Sequence, residues 1–317
     1  MKTIIPSFAI LISLFLTTPS FADVQFEGWY RVLVNGKHAG FVIQRYETDP
    51  QSKKKTISYF VRFKRYGEFV QQAIRAEADE NFKPIKYQNF SDLASPSMAY
   101  EGEFGKNETR VSTYDVSGKT RRLVSREPYS NPDQAILSSF LFPILDKKGE
   151  LKVGTKGSYN GFSEENGNYG TGEYEVLATK VANGIPVSQV VDDFQSEAVE
   201  NFVFAGGQSL GSRSASNKTR VYLVRDQSEA IAGIEFTEKT EAEIRKFFNG
   251  IPEGKKNPVT EGAGAIDAYK FTSEFKEHKA SKLDSDKGAL LSLPKQDSPA
   301  QVSPGETSTT PSGVQHD

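Results

Sequence analysis

The stretch from Trp29 to Tyr46, WYRVLVNGKHAGFVIQRY, decides the fold class of this chain. Apolar and polar residues alternate on both sides of Asn35-Gly36, which is the pattern of strands with one buried face. Asn-Gly readily takes the positive φ angles of a tight hairpin turn. The stretch therefore predicts two antiparallel strands over 29–34 and 41–46, with Lys37-His38 lengthening the loop between them.

The same alternation continues through most of the chain. Residues 57–63 and 70–76 form the next predicted pair, around Tyr66-Gly67, and Asn183-Gly184 marks a second tight hairpin. Further strands are predicted at 85–90, 98–104, 109–114, 120–125, 157–162, 173–181, 185–194, 198–204, 219–224 and 231–236. The chain is therefore predicted to be mainly β, a meander of short strands.

Two segments depart from this alternation. Asn131-Pro132 resembles a helix start, with Asn as the cap and Pro at the first helical position. It predicts a helix over 132–145, buried on most sides until Pro143 disturbs it. The Thr-x-x-Glu pattern that begins at Thr240 is typical of a capping box and predicts a short C-terminal helix, which Asn249-Gly250 would end.

Both ends of the chain differ from its β region. Lys2, the apolar stretch 4–16 and Ser20-Phe21-Ala22 form the pattern of a Sec-type signal peptide with cleavage after Ala22. The apolar stretch is too short to span a bilayer, so we expect no transmembrane anchor and a periplasmic or secreted protein. Beyond residue 278 large apolar side chains nearly vanish. We expect a signal peptide at 1–22, a single β-rich domain at 23–278 and a disordered Ser/Thr/Pro-rich tail at 279–317.

Composition argues against several classes of function. With 39 Lys+Arg against 41 Asp+Glu, the chain has no large field to attract nucleic acid. The absence of cysteine excludes a lipid anchor, thiolate metal sites and cysteine nucleophiles. Of three histidines, His278 and His316 lie at the edge of the tail or inside it, which leaves His38 beside a hairpin turn. We therefore predict no catalytic residue, no metal site and no cofactor.

Two acidic segments have the composition of a catalytic or calcium-binding site. Asp192-Asp193 is a tempting carboxylate pair, but neighbouring residues in a strand point to opposite faces. Residues 163–168, Ser-Glu-Glu-Asn-Gly-Asn, have the oxygen-rich composition of a calcium loop. Their spacing does not fit the helix-loop-helix calcium motif, so a flexible hairpin loop is the preferred interpretation.

The strongest indication of function is an excess of large rings. Core packing explains most of them. The remainder would suit a curved sheet that leaves an apolar groove, partly filled by the predicted helix. The candidate ligand-binding residues are Trp29, Phe60, Phe69, Phe140 and Phe142.

Several pieces together resemble a class of bacterial envelope proteins of unknown function. They are the hairpin of residues 30–42, the helix of residues 133–145, Leu-Lys-Val-Gly at 151–154, and residues 221–226 before 234–236 as a final hairpin. Proteins of this class are incomplete, strongly curved β-barrels that occur alone or beside transglutaminase-like domains. The resemblance implies an incomplete barrel like that of periplasmic lipoprotein carriers, with one buried helix and a short C-terminal helix. It implies no functional residues, and this chain has no cysteine and no catalytic module.

Three functions follow as alternatives. The first is an exported, non-catalytic envelope protein that binds an apolar ligand, such as a lipid, or a protein partner on its curved sheet. The second is a scaffold that interacts through sheet edges or the tail. The third is a carboxylate-based carbohydrate enzyme, which would need two acids facing each other across a cleft. Because only one histidine lies in the fold and cysteine is absent, we favour binding over catalysis.

Overall fold

The hairpin around Asn35-Gly36 lies at the middle of the sheet. Asn35 and Gly36 have φ angles of 51° and 74°, as the tight turn requires. They join β1 (Asp23–Val34) to β2 (Lys37–Thr48), with Trp29 opposite Ile43. Because β2 begins at Lys37, the loop has two residues and the predicted lengthening is wrong.

The computed structural model describes residues 22–65, 67–93, 95–214, 218–260 and 266–278. Residues 1–21 of the predicted signal peptide and the whole predicted tail lie outside the described residues, as does Tyr66. The N-terminal half continues as a meander in which each strand pairs with the one before it. Its strands are β3 (Lys55–Arg65), β4 (Glu68–Ala78), β5 (Pro84–Ser91), β6 (Met98–Phe104), β7 (Glu108–Asp115) and β8 (Arg122–Ser130).

The C-terminal half is a second meander that returns to β1. Its strands are β9 (Ile136–Leu137), β10 (Lys156–Ser163), β11 (Asn168–Ala182), β12 (Ile185–Phe194), β13 (Glu197–Phe204), β14 (Gln208–Ser214) and β15 (Thr219–Val224). Strand β15 pairs antiparallel with β1, so the fifteen strands form one sheet that ends at β8 and β9. Only β9 pairs parallel, with β10. The mainly β prediction is confirmed, and the sheet is open.

Side chains connect the two distant parts of this sheet. The hydroxyls of Thr109 on β7 and Tyr169 on β11 are hydrogen-bonded to each other at 2.7 Å, and both oxygens lie within 3 Å of Asn131 Oδ1, which accepts a hydrogen bond from this pair. Asn89 on β5 donates to the backbone oxygen of Glu164 beyond β10, at 2.8 Å. The sheet therefore curls until its ends meet, as in an incomplete barrel, without backbone pairing of β8 with β9.

The mid-chain helix begins later than predicted. Residues 136–137 form β9, residues 138–140 form a 3-10 turn, and α1 runs from Leu141 to Lys148. Pro143 lies in the first turn of α1, where no intrahelical hydrogen bond needs its missing N–H, so it does not disturb the helix. Leu141, Ile144 and Leu145 are buried, which confirms one buried helix inside the curved sheet.

Two helices follow β15, where sequence analysis placed a strand at 231–236. Asp226 caps α2 (Gln227–Ile231) by accepting from Glu229 N at 2.9 Å, and this cap ends the β pattern. The predicted final hairpin is therefore wrong, because β15 pairs with β1 instead. The predicted short helix is α3 (Glu238–Phe248), capped by Thr237 rather than Thr240 and ended by left-handed Asn249.

A last helix, α4 (Ala268–Ser273), was not predicted. It packs on β14 and β15, where the Arg220 guanidinium donates to the backbone oxygen of Tyr269 and to the hydroxyl of Thr272. Just beyond it, Phe275 contacts the ring of Phe202. Within the described part of the chain, no helix has the length and apolar character needed to cross a membrane.

Candidate functional site

A cavity of about 330 Å³ occupies the interior of the curved sheet. One wall comes from β1 to β4 and the opposite wall from β12 to β15, while α1 and the turn after β10 cover one end. Apolar and polar side chains alternate in the lining, which includes Val42, Gln44, Ile57, Tyr59, Phe142 and Asn201. The cavity therefore offers both dispersion contacts and hydrogen bonds to a ligand.

Trp29 and Phe60 lie on the other face of the sheet. Val42 and Tyr59 point into the cavity, so their strand neighbours Phe41 and Phe60 point away from it. There Trp29, Phe41 and Phe60 are fully buried against α3, and Trp29 Nε1 donates to Pro252 O at 3.1 Å. The structure thus places these two candidates in a core between sheet and helix.

The other three candidate rings are separated from one another. Phe142 lines the central cavity. Phe140 is buried beside Phe82, with ring centroids 5.8 Å apart, and lines a second cavity of about 260 Å³. Phe69 is half-buried near the β3–β4 turn, where the Arg62 guanidinium lies 4.7 Å from its ring centroid. Of the five candidates, Phe142 is thus the one placed at the central cavity.

The acidic turn between β10 and β11 brings carboxyl groups into the barrel. Gly167, with φ of 68°, donates its N–H to Ser163 O at 2.8 Å and closes a tight turn. The side-chain amide of Asn89 donates to the backbone oxygens of Glu164 and Glu165. The oxygen-rich segment is thus a tight hairpin turn held by hydrogen bonds from Asn89, whereas the sequence predicted a flexible hairpin loop. Both glutamates of this turn line the cavity.

Glu164 is fully buried, and both oxygens of its carboxylate accept hydrogen bonds. Its carboxylate accepts from Ser138 Oγ at 2.6 Å and from Ser139 Oγ at 2.5 Å, which ties the acidic turn to the approach to α1. Burial raises the pKa of Glu164, while the two serine hydroxyls oppose that shift. This carboxyl is therefore a structural link between turn and helix.

Glu165 is placed differently. Its carboxyl makes no hydrogen bond or ion pair with any described residue. Burial, followed by the negative charges of Glu197 and Glu164, raises its pKa to about 8. The side chain is half-buried and lines the cavity, so we infer that its remaining accessible surface opens into the cavity.

Asp192 enters the cavity from the opposite wall. Burial raises its pKa to about 7, although Tyr159 opposes the shift by donating to Asp192 Oδ1 at 2.8 Å. The Tyr159 ring can reach this position because it lies across Gly172, where a Cβ would come within 2.4 Å of the ring. Asp193 is not part of the lining, in keeping with the expected opposite orientation of neighbouring strand residues.

Three tyrosines are the largest of the remaining polar side chains in the lining. The Tyr30 hydroxyl donates to Ser209 O at 2.7 Å and lies 3.0 Å from the side-chain amide of Gln44, so it contacts both β14 and β2. Burial raises the pKa values of Tyr30, Tyr46 and Tyr59, so all three stay uncharged around neutral pH. Among the described residues, no group of three or more Asp, Glu or His side chains is arranged to hold a metal ion.

The buried acids predict an unusual dependence of stability on pH. Because the native pKa of Glu165 exceeds its unfolded value, the native state keeps a proton that the unfolded state has released. Its favourable contribution is complete below pH 4, where both states are protonated, and is lost as pH rises through about 8. Asp192 acts in the same direction up to about 7.

We therefore expect the free energy of unfolding to fall between about pH 5 and pH 8, by up to about 1.4 kcal/mol per pH unit for each proton. Urea denaturation across this range measures it. Glu165→Gln should flatten the slope, and Glu173→Gln, at an exposed position on β11, should leave it unchanged. An equal slope in Glu165→Gln would contradict the assignment.

Comparison with known proteins adds little beyond the architecture. No family model and no curated protein matches the chain. It is similar to the crystal structure of a beta-barrel-like protein of a domain of unknown function (DUF1849) from Brucella abortus. The two are 10% identical with a TM-score of 0.48, and the match covers 63% of this chain and 96% of the other. We take nothing about family, ligand or activity from this likeness.

Proposed function

We propose that this protein is a non-catalytic binding protein of the cell envelope that holds an amphipathic small molecule inside its open barrel. One observation carries the proposal: the cavity of about 330 Å³ between the two meanders. Ligand cavities in proteins commonly begin at about 300 Å³ and combine apolar walls with a few polar groups. Export to the envelope rests on the signal peptide predicted at residues 1–22.

The composition of the lining supports an amphipathic ligand, with a polar end in addition to the apolar part of the lipid-like ligand expected from the sequence. Ile57, Ile74 and Val199 supply apolar surface, whereas Glu165 and Asp192 supply polar groups. A fully apolar guest would exclude water from these carboxyls, which costs free energy, above all for Glu165 because Asp192 still accepts from Tyr159. A guest with one polar end would avoid that penalty.

Blocking the cavity tests the proposal. Val199 lines it from β13, so Val199→Trp should fill the space and weaken uptake of the neutral fluorescent probe N-phenyl-1-naphthylamine at least about tenfold. Val181 is 65% exposed on β11 outside the cavity, so Val181→Trp is the matched control and should bind as the parent does. Fluorescence titration measures both variants, with circular dichroism as a check on folding. Absence of saturable uptake by the parent protein, or equal uptake by folded Val199→Trp, would refute cavity binding.

The carbohydrate enzyme is a second candidate, favoured by one observation. Glu165 and Asp192 line the same cavity, and their pKa values of about 8 and about 7 suit acid-base chemistry near neutral pH. Release of reducing ends from an oligosaccharide by the parent protein, and its loss in Glu165→Gln, would favour this candidate over binding alone.

The scaffold alternative has one described feature in its favour, the edge strand β8. Most of β8 is exposed, including Leu123 and Val124 at 53% and 55%. Arg126 and Pro128 on the same strand are residue types that discourage pairing with another strand. The cavity therefore supports binding of a small molecule better than β8 supports binding of a protein.

A further inference from the structure

The charges around the central cavity are all of one sign. Four carboxyl residues line it: Glu164, Glu165, Asp192 and Glu197. Among the described residues of the lining, none is Lys, Arg or His. Acids that lie close together raise one another's pKa values and leave a negative potential wherever they ionise. The cavity is thus electrostatically suited to a cation and unsuited to an anion.

The partners of these acids differ in a way that points to a ligand. Glu164 is held by Ser138 and Ser139, and Asp192 by Tyr159. Glu165 lines the cavity without a hydrogen bond or ion pair to any described residue. Glu165 is half-buried, and neither of its carboxyl oxygens is among the fully buried atoms that lack a partner. A ligand that enters the cavity can therefore reach this carboxyl directly and supply a hydrogen-bond or ion-pair partner.

Aromatic rings line the same space. Tyr30, Tyr46 and Tyr59 enter from β1, β2 and β3, and Phe142 and Phe194 enter from α1 and β12. The faces of aromatic rings attract ammonium groups, and clusters of such rings recognise quaternary ammonium ligands in proteins. Rings together with an unpartnered carboxyl are therefore a set of groups that recognises an organic cation.

We propose that the cavity selects amphipathic ligands with a positively charged ammonium or alkylammonium head group, for which Glu165 is the counter-ion. This inference rests on the proposed binding function and adds the charge of the ligand. The apolar part of the ligand packs on Ile57, Ile74 and Val199, and the head group lies among Glu165, Asp192 and the tyrosines. Glu165 acts by direct contact with the ligand, whereas Glu164 holds the turn that carries it.

Ionisation of Glu165 links this binding to pH. The titratable groups around its carboxyl are Glu164 in the same turn, Asp192 on β12, Glu197 on β13 and the tyrosines of β1 to β3. The tyrosines stay neutral, so the acids set the charge of the cavity. A permanent cation favours the ionised carboxylate, and its binding releases a proton while Glu165 is protonated. Its affinity should therefore rise between about pH 6 and pH 9.

Three probes with the same hexyl chain test the inference: hexyltrimethylammonium, hexan-1-ol and hexanoate. Calorimetry with the full chain near pH 9 should show the cation binding at least about tenfold more tightly than the alcohol, and hexanoate binding most weakly. Glu165→Gln should lower the affinity for the cation at least about tenfold and leave that for hexan-1-ol unchanged. Glu173→Gln is the matched control, because Glu173 is exposed and does not line the cavity.

The outcomes separate this inference from the function on which it rests. If hexan-1-ol or hexanoate binds as tightly as the cation, the charge preference is wrong and cavity binding stands. If none of the three binds, both proposals fail. Should Glu165→Gln not fold, Asp192→Asn replaces it, with a smaller expected loss of cation affinity because Tyr159 already partners Asp192. If the variant that is measured folds and binds the cation as tightly as the parent protein, the carboxyl that it replaces has no role in cation binding.

Discussion

Replacement of Trp29 by alanine is expected to lower the free energy of unfolding by about 3–5 kcal/mol. The side chain is fully buried, its ring lies 5.7 Å from that of Phe41, and its Nε1 donates to Pro252 O. The substitution removes a large apolar surface, leaves a cavity beneath α3 and leaves a buried carbonyl oxygen without its donor. Urea denaturation monitored by far-ultraviolet circular dichroism measures the change.

Phe69→Ala is the control, since Phe69 is half-buried near a turn and should cost less than about 2 kcal/mol. Trp29 and Phe69 were both candidates for ligand contact, and both lie outside the central-cavity lining. Under conditions where each variant is folded, both should therefore bind the hexyl probes as the parent protein does. A folded Trp29→Ala protein with parental stability would contradict the placement of Trp29 in the core, and a selective loss of binding would restore it as a ligand contact.

Gly207→Ala is expected to be strongly destabilising. Gly207 lies between β13 and β14 with φ of 72°, a conformation that costs an alanine about 1–2 kcal/mol. A Cβ there would come within 2.1 Å of Pro143 N and 2.3 Å of Phe142 C. The backbone of α1 would have to move away, so we expect a total loss of about 3–5 kcal/mol from the free energy of unfolding.

The neighbouring glycine gives a matched comparison. Gly206 has φ of 80°, but a Cβ there would first meet the flexible end of Gln208, at 3.0 Å. Gly206→Ala should therefore cost only the conformational penalty, about 1–2 kcal/mol. Chemical denaturation of both variants isolates the close approach of this turn to α1. Equal losses in the two would show that the approach contributes nothing.

Displacement of α1 should also change the lining of the central cavity. Phe142 lines it, and Ser138 and Ser139 hold the carboxylate of Glu164. A shift of this segment would loosen the acidic turn that carries Glu165. Folded Gly207→Ala should therefore bind hexyltrimethylammonium more weakly than Gly206→Ala does, which the same calorimetric titration measures.

Much of the fold could be predicted because its information is local. Asn35-Gly36 and Asn183-Gly184 each adopt positive φ angles in tight hairpin turns, and the alternation around them places strands that the structure confirms. Strand β14, Gln208–Ser214, was missed because its residues are largely polar or small. Its place in the sheet comes from pairing with β13 and β15, which a local pattern does not record.

The candidate site was only partly predictable. Large apolar rings were the predicted ligand contacts, yet Trp29 and Phe60 pack against α3 in the core on the other face of the sheet. The acidic segments at 163–168 and 192–193 are not identifiable as cavity residues from sequence, because strand periodicity alone does not reveal which face becomes the inside of a barrel. The relevant indication was an acid-rich turn without basic residues, next to strands rich in tyrosine.

Local sequence patterns specify where most strands lie and where they turn, whereas the predicted starts of the mid-chain and C-terminal helices were wrong. Tertiary structure decided which face of each strand surrounds the cavity, because the pairing of β15 with β1 joins two meanders into one sheet and its curvature brings β10 and β11 against β5 and β7. The curvature of the sheet brings Glu165, which lies near one end of the sheet, next to tyrosines from the strands in its middle. Local periodicity acts over a few residues, whereas the charge and shape of this cavity depend on contacts between residues more than a hundred positions apart.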